Sequence, residues 1–263
     1  MNNQYFTLKV KEVCSHIVVL SLNRPALCNA ISYQMMQELK SFWSDVCSRK
    51  DVRVVIITGE GSKAFCAGAD LKERATLTVA AWREQHAILQ QAMRLMSDCP
   101  VPVIAAVNGV AYGGGLELAL AADFAYACDG ATFAQSEVKL GIMPGAMGTQ
   151  NLSRAVGLRR AKELAFTGNS FSAQEALEWG VVSKVVSADE LMQTALETAK
   201  TICSNAPLAV ASVKKAVNYS WSHSLDMGYT REVDLYNPLL ETSDRVEGIN
   251  AFNEKRISEF KGE

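Results

Sequence analysis

Residues 108–117 read Asn108-Gly-Val-Ala-Tyr-Gly113-Gly114-Gly115-Leu116-Glu117, and this stretch is the most informative about the fold. The three consecutive glycines follow a predicted buried strand at residues 101–107 and are costly in backbone entropy. The segment after them favours a helix, which is predicted over residues 113–122. The glycines therefore lie at a predicted helix N-terminus, where unpaired N–H groups and the helix dipole attract negative charge.

Two acidic residues near this turn are candidates for catalysis. Glu117, in about the first helical turn, is either an acid that compensates the helix dipole or a site residue. Glu137 stands among apolar residues before a Gly/Pro-rich loop, and is either a satisfied half-buried carboxylate or a site residue. The two are 137 − 117 = 20 residues apart, on consecutive structural units, and paired carboxylates are a common general acid–base device.

Outward from the turn, strand-like and helix-like segments alternate through the first two-thirds of the chain. The predicted elements are a hairpin at residues 5–13 and 16–22, a helix capped by Ser32 and running to 46, a strand at 52–58, a helix at 79–97, a strand at 124–127 and a strand at 181–186. From about Gly157 the chain is otherwise predicted to be helical. Strand–strand–helix units with a helical tail indicate an α/β or α+β layered core.

The composition is that of an ordinary globular chain and limits the possible partners. Of 263 residues, 49% are hydrophobic and 21% charged, and the formal net charge of −2 gives no electrostatic reason to expect nucleic acid. No apolar run is long enough to span a membrane, and residues 1–8 do not resemble a signal peptide. The seven cysteines include no C-x-x-C pair, so reduced thiols in a cytoplasmic compartment are expected.

Other possible sites are less well supported. Gly59-Glu-Gly-Ser-Lys-Ala64 fits G-x-G-x-x-A, but the small residues that follow predict a loop where a dinucleotide fold needs a helix. The three histidines are predicted to lie in a strand (His16) and two helices (His86, His223), without obvious partners. A structural or surface role is favoured for each, although a Ser-His-Asp triad stays open. No metal site is indicated.

The ordered motifs resemble those of the crotonase, or enoyl-CoA hydratase/isomerase, superfamily over nearly the whole chain. The matching stretches are Leu22-Asn-Arg-Pro25, Lys63-Ala-Phe-Cys-Ala-Gly-Ala-Asp-Leu71, Pro102-Val-Ile-Ala-Ala-Val-Asn-Gly109, Gly113-Gly-Gly-Leu-Glu-Leu118, Gly141-Ile-Met-Pro-Gly145, Leu164-Ala-Phe-Thr-Gly168 and the tail from Asp244 to Arg256. Residues 65–72 and the tail look particularly like the subgroup that includes methylglutaconyl-CoA hydratase.

The resemblance implies an α/β fold, a spiral of ββα units over residues 1–195 with a helical trimerisation region at residues 196–263. It implies an enoyl-CoA hydratase, which adds water reversibly and syn across the 2,3 double bond of a 2-enoyl-CoA thioester in fatty-acid or branched-chain catabolism. The alternatives are a Δ3-Δ2 enoyl-CoA isomerase and a non-catalytic or RNA-binding module of the same fold. The presence of both glutamates favours hydration.

The resemblance also assigns roles. Glu117 and Glu137 match the two catalytic glutamates of hydratases, one handling the attacking water and the other the proton at the α-carbon. The backbone N–H groups of Ala69 and Gly114 match the oxyanion hole that holds the thioester oxygen. Each such donor is typically worth about 2.7–4 kcal/mol in the transition state.

Further positions match family contacts to coenzyme A, which is part of the substrate; no separate cofactor is expected. They are Lys63, Ala67, Ala69, Asp70, Leu71, Lys72, Gly114, Tyr236, Phe252 and Lys255. In relatives, the tail positions contact the nucleotide partly from a neighbouring subunit. A homotrimer or a hexamer built as a dimer of trimers is therefore expected.

The sequence departs from the family pattern in two places. Met147 stands where relatives usually have glycine, and Asn151 where they have arginine, so the preferred acyl group stays open. The helix at residues 34–50, which is lysine-rich in RNA-binding relatives, carries only Lys40, Arg49 and Lys50. RNA binding is therefore not expected.

Overall fold

The computed structural model describes residues 5–263, and ten strands in this part of the chain form two sheets. The strands are β1 (Leu8–Cys14), β2 (Ile17–Leu22), β3 (Val54–Gly59), β4 (Ala64–Cys66), β5 (Val103–Val107), β6 (Val110–Tyr112), β7 (Phe124–Cys128), β8 (Thr132–Ala134), β9 (Ser170–Ser172) and β10 (Lys184–Val186).

Eleven α-helices are described, together with three short 3-10 helices. The α-helices are α1 (Tyr33–Val46), α2 (Leu71–Arg74), α3 (Val79–Asp98), α4 (Gly114–Ala121), α5 (Gly148–Val156), α6 (Leu158–Thr167), α7 (Ala173–Glu178), α8 (Ala188–Cys203), α9 (Pro207–Tyr219), α10 (Leu225–Tyr236) and α11 (Ser243–Glu254). The 3-10 helices are Pro25–Leu27, Glu137–Leu140 and Asn237–Glu241.

Successive units each contribute one strand to each sheet. The six-stranded sheet has the order β1-β2-β3-β5-β7-β10 and the four-stranded sheet the order β4-β6-β8-β9. Consecutive strands of a unit therefore lie in different sheets, as in the pairs β3 and β4, β5 and β6, and β7 and β8. Only the outer pairs β1–β2 and β8–β9 are antiparallel. This repeated strand–strand–helix path confirms the crotonase-like spiral predicted from the motifs.

The central strands of the larger sheet are rich in apolar residues because they lie in the core. Strands β2, β3 and β5 are buried along their whole length, as expected of parallel strands covered on both faces. Helix α1 begins at Ser32, whose side chain accepts a hydrogen bond from Met35 N, and it buries Phe42 and Trp43 against the sheet. Thus the predicted cap and apolar face of this helix are both present.

Most long elements lie where the sequence predicted them, but four short strands were not predicted. β4, β6, β8 and β9 have three residues each, too few for an alternating pattern to be recognised. Phe65 and Cys66, predicted as loop, lie in β4. The prediction of one further strand after Gly157 was wrong, since both β9 and β10 follow it.

Two histidines also differ from their predicted environments. His16 lies in the turn before β2, with φ 73°, and His223 lies after the end of α9. His86 lies within α3, as predicted. The predicted boundary between a spiral core (residues 1–195) and a helical region (residues 196–263) falls inside α8. Residues 1–4 of the predicted core lie outside the described part of the chain. Because Ala195 and Ala199 are both buried, the helix packs on the core on both sides of this boundary.

The C-terminal helices carry many exposed apolar side chains. They include Val213, Val217, Trp221, Leu225, Tyr229, Val233, Tyr236, Ile249 and Phe252. An ion pair of 2.8 Å between Lys214 Nζ and Asp123 Oδ2 ties α9 to the end of α4 and the start of β7. Among residues 5–263, no helix combines the length and apolarity needed to cross a membrane.

Candidate active site

The glycine turn provides one unpaired backbone donor. Gly113 caps α4 with φ 51°, and Gly114 is the first residue of the helix. The N–H of a first helical residue has no partner within the helix, so that of Gly114 is free to bind a ligand. Gly113 is fixed in turn by a 2.8 Å hydrogen bond from its own N to Ala134 O at the end of β8.

A second donor lies beside the first. Ala69 forms an isolated parallel bridge with Ile31, in which Ile31 N donates to Gly68 O at 2.8 Å and Asp70 N donates to Ile31 O at 3.0 Å. The N–H of Ala69 itself points to the opposite side of this bridge. A β-carbon added to Gly114 would lie 3.9 Å from Ala69 N, so the two donors are neighbours.

Two glycines allow this approach. A β-carbon on Gly115 would lie 1.9 Å from Cys66 O, so α4 can pack on β4 only with glycine there. Gly68 has φ 94°, and a β-carbon on it would lie 2.8 Å from Tyr112 O. The glycines therefore serve a close approach of backbones, as the sequence indicated.

Glu117 is held by two backbone donors from a distant loop. The N–H groups of Ala146 and Gly148 donate to its Oε1 at 2.7 and 2.9 Å. The side chain is almost completely buried, with 3% of the residue exposed. Glu117 is thus buried and held in one orientation. An acid that only compensates the helix dipole would need neither property.

The environment of Glu117 changes its acidity. Burial, followed by the negative charge of Glu137, raises its pKa to about 7 from the usual 4.5. The hydrogen bonds from Ala146 and Gly148 and the positive charge of Arg74 act in the opposite direction. A carboxyl group with a pKa near 7 is suited to accept and release protons at neutral pH.

Glu137 begins the 3-10 helix after β8 and faces the glycine turn. A β-carbon on Gly113 would lie 3.1 Å from its Oε1. Gln135 Nε2 donates to both carboxylate oxygens at 3.0 Å. The same amide presents its Oε1, buried and without a partner among residues 5–263, towards Gly148 and hence towards Glu117. Gln135 therefore lies between the two glutamates.

Arg74 carries a positive charge that interacts with both Glu117 and Glu137. Its guanidinium lies 4.6 Å from the centroid of the Trp82 ring. Burial lowers the pKa of Arg74, while the charges of Glu117, Glu73 and Glu137 raise it. The pair of glutamates is therefore coupled to one half-buried cation at the end of α2.

The loop that holds Glu117 contains the first departure from the family pattern. Met147 has φ 74°, a left-handed conformation that favours glycine and costs a non-glycine residue about 1–2 kcal/mol. Its sulfur accepts from Ser97 Oγ at 3.9 Å. The conformation expected for glycine is thus kept although methionine occupies the position. The other departure, Asn151, lies half-buried on α5.

The predicted coenzyme A residues near the oxyanion donors lie at one edge of the site. Asp70 caps α2 and pairs with Arg24 at 2.9 Å. Leu71 and Lys72 follow it with exposed side chains, and Ala67 and Lys63 are also exposed. Ala67, Asp70, Leu71 and Lys72 are thus accessible near Ala69 in sequence, and Lys63 is accessible on the segment before β4.

The predicted tail contacts lie elsewhere in the chain. Tyr236 ends α10, Phe252 lies on α11 with 83% of its surface exposed, and Lys255 caps α11 with φ 58°. The last residues fold back on α11, where Lys261 N and Gly262 N donate to the carboxylate of Asp244 at 2.7 and 2.9 Å. The tail thus presents these three side chains outward from a fixed backbone.

Sequence reasoning missed four residues that build the site: Arg74, His86, Gln135 and Gly148. Gln135 lies two residues before Glu137, and this spacing is the one signal that could have identified it. The other three act through contacts between distant segments, which leave no local pattern. In the part of the chain that the structure describes, no group of three or more His, Cys, Asp or Glu could hold a metal ion.

Comparison with known proteins places this geometry in context. A sequence model of the family described as enoyl-CoA hydratase/isomerase matches residues 12–263. The crystal structure of an enoyl-CoA hydratase from Bacillus anthracis superposes with a TM-score of 0.96 at 43% identity, covering 98% of this chain and 100% of that one.

Two curated relatives agree. The chain is 40% identical to a short-chain-enoyl-CoA hydratase of Clostridium acetobutylicum, covering 93% of this chain and 94% of that one. It is 41% identical to a crotonyl-CoA hydratase of Syntrophomonas wolfei, again covering 93% and 94%.

Proposed function

The chain belongs to the enoyl-CoA hydratase/isomerase family and is an enoyl-CoA hydratase, and we propose that Glu117 and Glu137 are its acid–base pair. The single observation that carries this proposal is that two buried carboxylates, from α4 and from the segment after β8, flank the amide of Gln135, which donates to Glu137 and directs its Oε1 towards the same space beside Gly148 that Glu117 Oε1 borders. The negative charge of Glu137 contributes to the raised pKa of Glu117, so the two carboxyl groups interact electrostatically.

We propose that the N–H groups of Ala69 and Gly114 form the oxyanion hole. Both donors are unpaired for structural reasons, one by its place in a parallel bridge and the other as the first residue of α4. A thioester oxygen between them would receive two hydrogen bonds and the field of the helix N-terminus. These interactions strengthen as the oxygen gains negative charge, so they stabilise the enolate more than the substrate.

In the proposed mechanism, Glu117 accepts a proton from water while the water oxygen bonds to the β-carbon. The electrons of the 2,3 double bond move towards the thioester, whose oxygen becomes negative at Ala69 and Gly114. The α-carbon then forms its bond to a proton from Glu137, and the thioester carbonyl is restored. One water has been added, and proton exchange between the carboxyl groups returns the pair to its starting state.

The substrate is an acyl-CoA thioester, and members of this family need no cofactor beyond it. We propose that Lys63, Ala67, Asp70, Leu71 and Lys72 form the rim along which coenzyme A binds. Exposed lysines beside a helix N-terminus complement phosphate groups. Asp70, Leu71 and Lys72 follow Ala69 directly in the chain, which supports a thioester bound at Ala69 at the start of this rim.

For assembly, we propose a homotrimer or a dimer of trimers formed through the C-terminal helices. The support is the number of exposed apolar side chains on and between α9 to α11, because a contiguous exposed apolar patch marks an interaction surface. Tyr236, Phe252 and Lys255 would then reach the coenzyme of a neighbouring subunit. We also propose a cytoplasmic location, because seven cysteines without a paired spacing suit a reducing compartment.

Hydration of crotonyl-CoA, followed by the loss of ultraviolet absorbance of the conjugated thioester, tests the proposed chemistry. Turnover is expected with a short panel of 2-enoyl-CoAs, and is expected to fall when either glutamate is replaced by glutamine. A 3-enoyl-CoA substrate added in parallel distinguishes the isomerase alternative, which would convert it to the 2-enoyl form. Absence of turnover across the panel would exclude the hydratase role.

A further inference from the structure

His86 on α3 makes a hydrogen bond with the loop that holds Glu117. Its Nε2 lies 2.8 Å from Gly145 O, and the side chain is half-buried. Because a carbonyl oxygen can only accept, the ring nitrogen that faces it must carry the hydrogen. Gln90 Nε2, one turn further along α3, donates to the same oxygen over a longer distance of 3.3 Å.

The acceptor belongs to the peptide group whose other end binds Glu117. The C=O of Gly145 and the N–H of Ala146 are the two ends of one planar amide. The N–H end donates to Glu117 Oε1 at 2.7 Å. A donor on the carbonyl end polarises the amide and strengthens its N–H as a donor. His86 therefore acts on the Glu117 carboxylate through a single peptide unit.

The loop needs such a restraint because its backbone is strained. Met147 holds the left-handed conformation between Ala146 and Gly148, and this lets both N–H groups reach one carboxylate oxygen. The contact with His86 is close, since a β-carbon on Gly145 would lie 2.5 Å from its Nε2. Gly145 thus leaves room for the imidazole, and the imidazole holds the loop from the side opposite Glu117.

We propose that His86 is a positioning residue for hydration: through the Gly145–Ala146 peptide group, it holds the backbone N–H donors of the loop against the carboxylate of Glu117. This inference rests on the proposed role of Glu117 as the group that accepts the proton of water. His86 itself contacts neither the substrate nor the reacting atoms in this arrangement. The charged groups that face Glu117 are Glu137 and Arg74, and the proposal leaves both unchanged.

The test compares His86→Leu with His86→Gln, using crotonyl-CoA as substrate across pH 5.5–9. Leucine removes the donor, whereas glutamine can place an amide N–H near the same oxygen. A hydrogen bond to the ionised carboxylate is weakened in the leucine variant, so the rising limb of kcat/KM is expected to move to higher pH by about 0.5–1 unit. At pH 6 this lowers kcat/KM about 3–10-fold, and glutamine is expected to restore most of it.

Ala87→Leu is the matched control, because it adds the same side chain at the neighbouring exposed position of α3. Its pH profile is expected to follow that of the unmodified protein. The proposal is overturned if folded His86→Leu gives a superimposable profile, or if the leucine and glutamine variants shift equally. If Glu117→Gln keeps full activity, the proposed function fails instead, whatever the His86 variants show.

A second measurement keeps the proposal testable if His86→Leu does not fold. The chain has only three histidines, so selective ¹⁵N labelling gives few imidazole signals in the unmodified protein. At pH 8 the His86 ring is expected to carry its hydrogen on Nε2. A neutral His86 with its hydrogen on Nδ1 instead cannot donate to Gly145 O and would overturn the inference.

Discussion

The N–H of Gly148 donates to Glu117 Oε1 at 2.9 Å, and a β-carbon on Gly148 would lie 2.6 Å from that same oxygen. The residue therefore combines a required hydrogen bond with a space that only glycine leaves open. Gly148 is the first residue of α5 and does not have a positive φ. Its backbone conformation is open to alanine, and the conflict is with two side chains, those of Glu117 and Gln135.

From this contact we predict that Gly148→Ala loses activity on the order of 100-fold, because it displaces the Glu117 carboxylate. The thermal midpoint is expected to fall by only a few degrees, since the added methyl group meets side-chain atoms that have some freedom. Steady-state kinetics with crotonyl-CoA and a melting curve check both parts. Unchanged kinetics in a folded variant would show that the orientation of Glu117 does not matter.

The pH dependence of activity follows from the raised pKa of Glu117. Its pKa of about 7 means that the carboxylate form, which accepts the proton of water, is lost as pH falls through that value. We predict that kcat/KM rises between pH 6 and 8 as Glu117 ionises. A profile that is flat from pH 5 to 8 would contradict this assignment.

The raised pKa of Glu117 also predicts how stability depends on pH. Activity is expected to rise with pH, whereas the contribution of Glu117 to stability is expected to fall. The unfolded carboxyl ionises near 4.5 and the folded one near 7, so its favourable contribution is complete below pH 4.5 and is lost as pH rises through 7. Glu117→Gln stays neutral at every pH. We expect this variant to be more stable than the parent at pH 8, by up to about 3 kcal/mol, with the difference narrowing at pH 5. Denaturant unfolding at the two pH values measures the gap, and a gap that widens at pH 5 would contradict the prediction.

Replacement of the second glutamate is expected to separate chemistry from folding. Glu137→Gln removes the proton donor for the α-carbon and should lower kcat by about 10²–10⁴-fold. The side chain keeps its size between Gln135 and Gly113, so circular dichroism and the elution volume on gel filtration are expected to stay unchanged. Near-parental turnover in this variant would refute the role of Glu137.

Two adjacent glycines give a paired prediction for the oxyanion hole. A β-carbon on Gly114 meets nothing closer than Ile31 Cδ1 at 3.4 Å, so Gly114→Ala should fold but place a methyl group where the thioester binds. A β-carbon on Gly115 would lie 1.9 Å from Cys66 O, so Gly115→Ala should fail to fold or lose most of its stability. Soluble yield, melting temperature and crotonyl-CoA kinetics distinguish the two. Full activity in Gly114→Ala would contradict an oxyanion role for its N–H.

Part of the fold can be predicted from short stretches of sequence. The cap at Ser32, the buried strand β5 and the glycine turn before Glu117 are each encoded within a few consecutive residues, and all were predicted correctly. The four strands of the smaller sheet were missed because three-residue strands carry too little periodicity. Their partners are set by the spiral as a whole.

The candidate site likewise contains some residues that the sequence identifies and others that only contacts between distant segments reveal. Glu117 and Glu137 could be singled out because an acid beside glycines or among apolar residues is unusual. That Gly148 and Ala146 hold one of them, while Gln135 holds the other, depends on how separate units meet. The sequence favours a structural or surface role for His86, because its bond to Gly145 O spans 59 residues without any matching feature in the sequence.

The order of strands in the larger sheet has a consequence for synthesis of the chain. β1, β2, β3, β5, β7 and β10 join in the order in which they leave the ribosome, so each new strand finds its neighbour already made. Both glutamates, the two proposed oxyanion donors and the loop that ends at Gly148 are translated before α9 to α11 begin. We therefore expect the part of a nascent chain that carries the candidate site to reach its native arrangement first, and the C-terminal helices, with their exposed apolar side chains, to fold last.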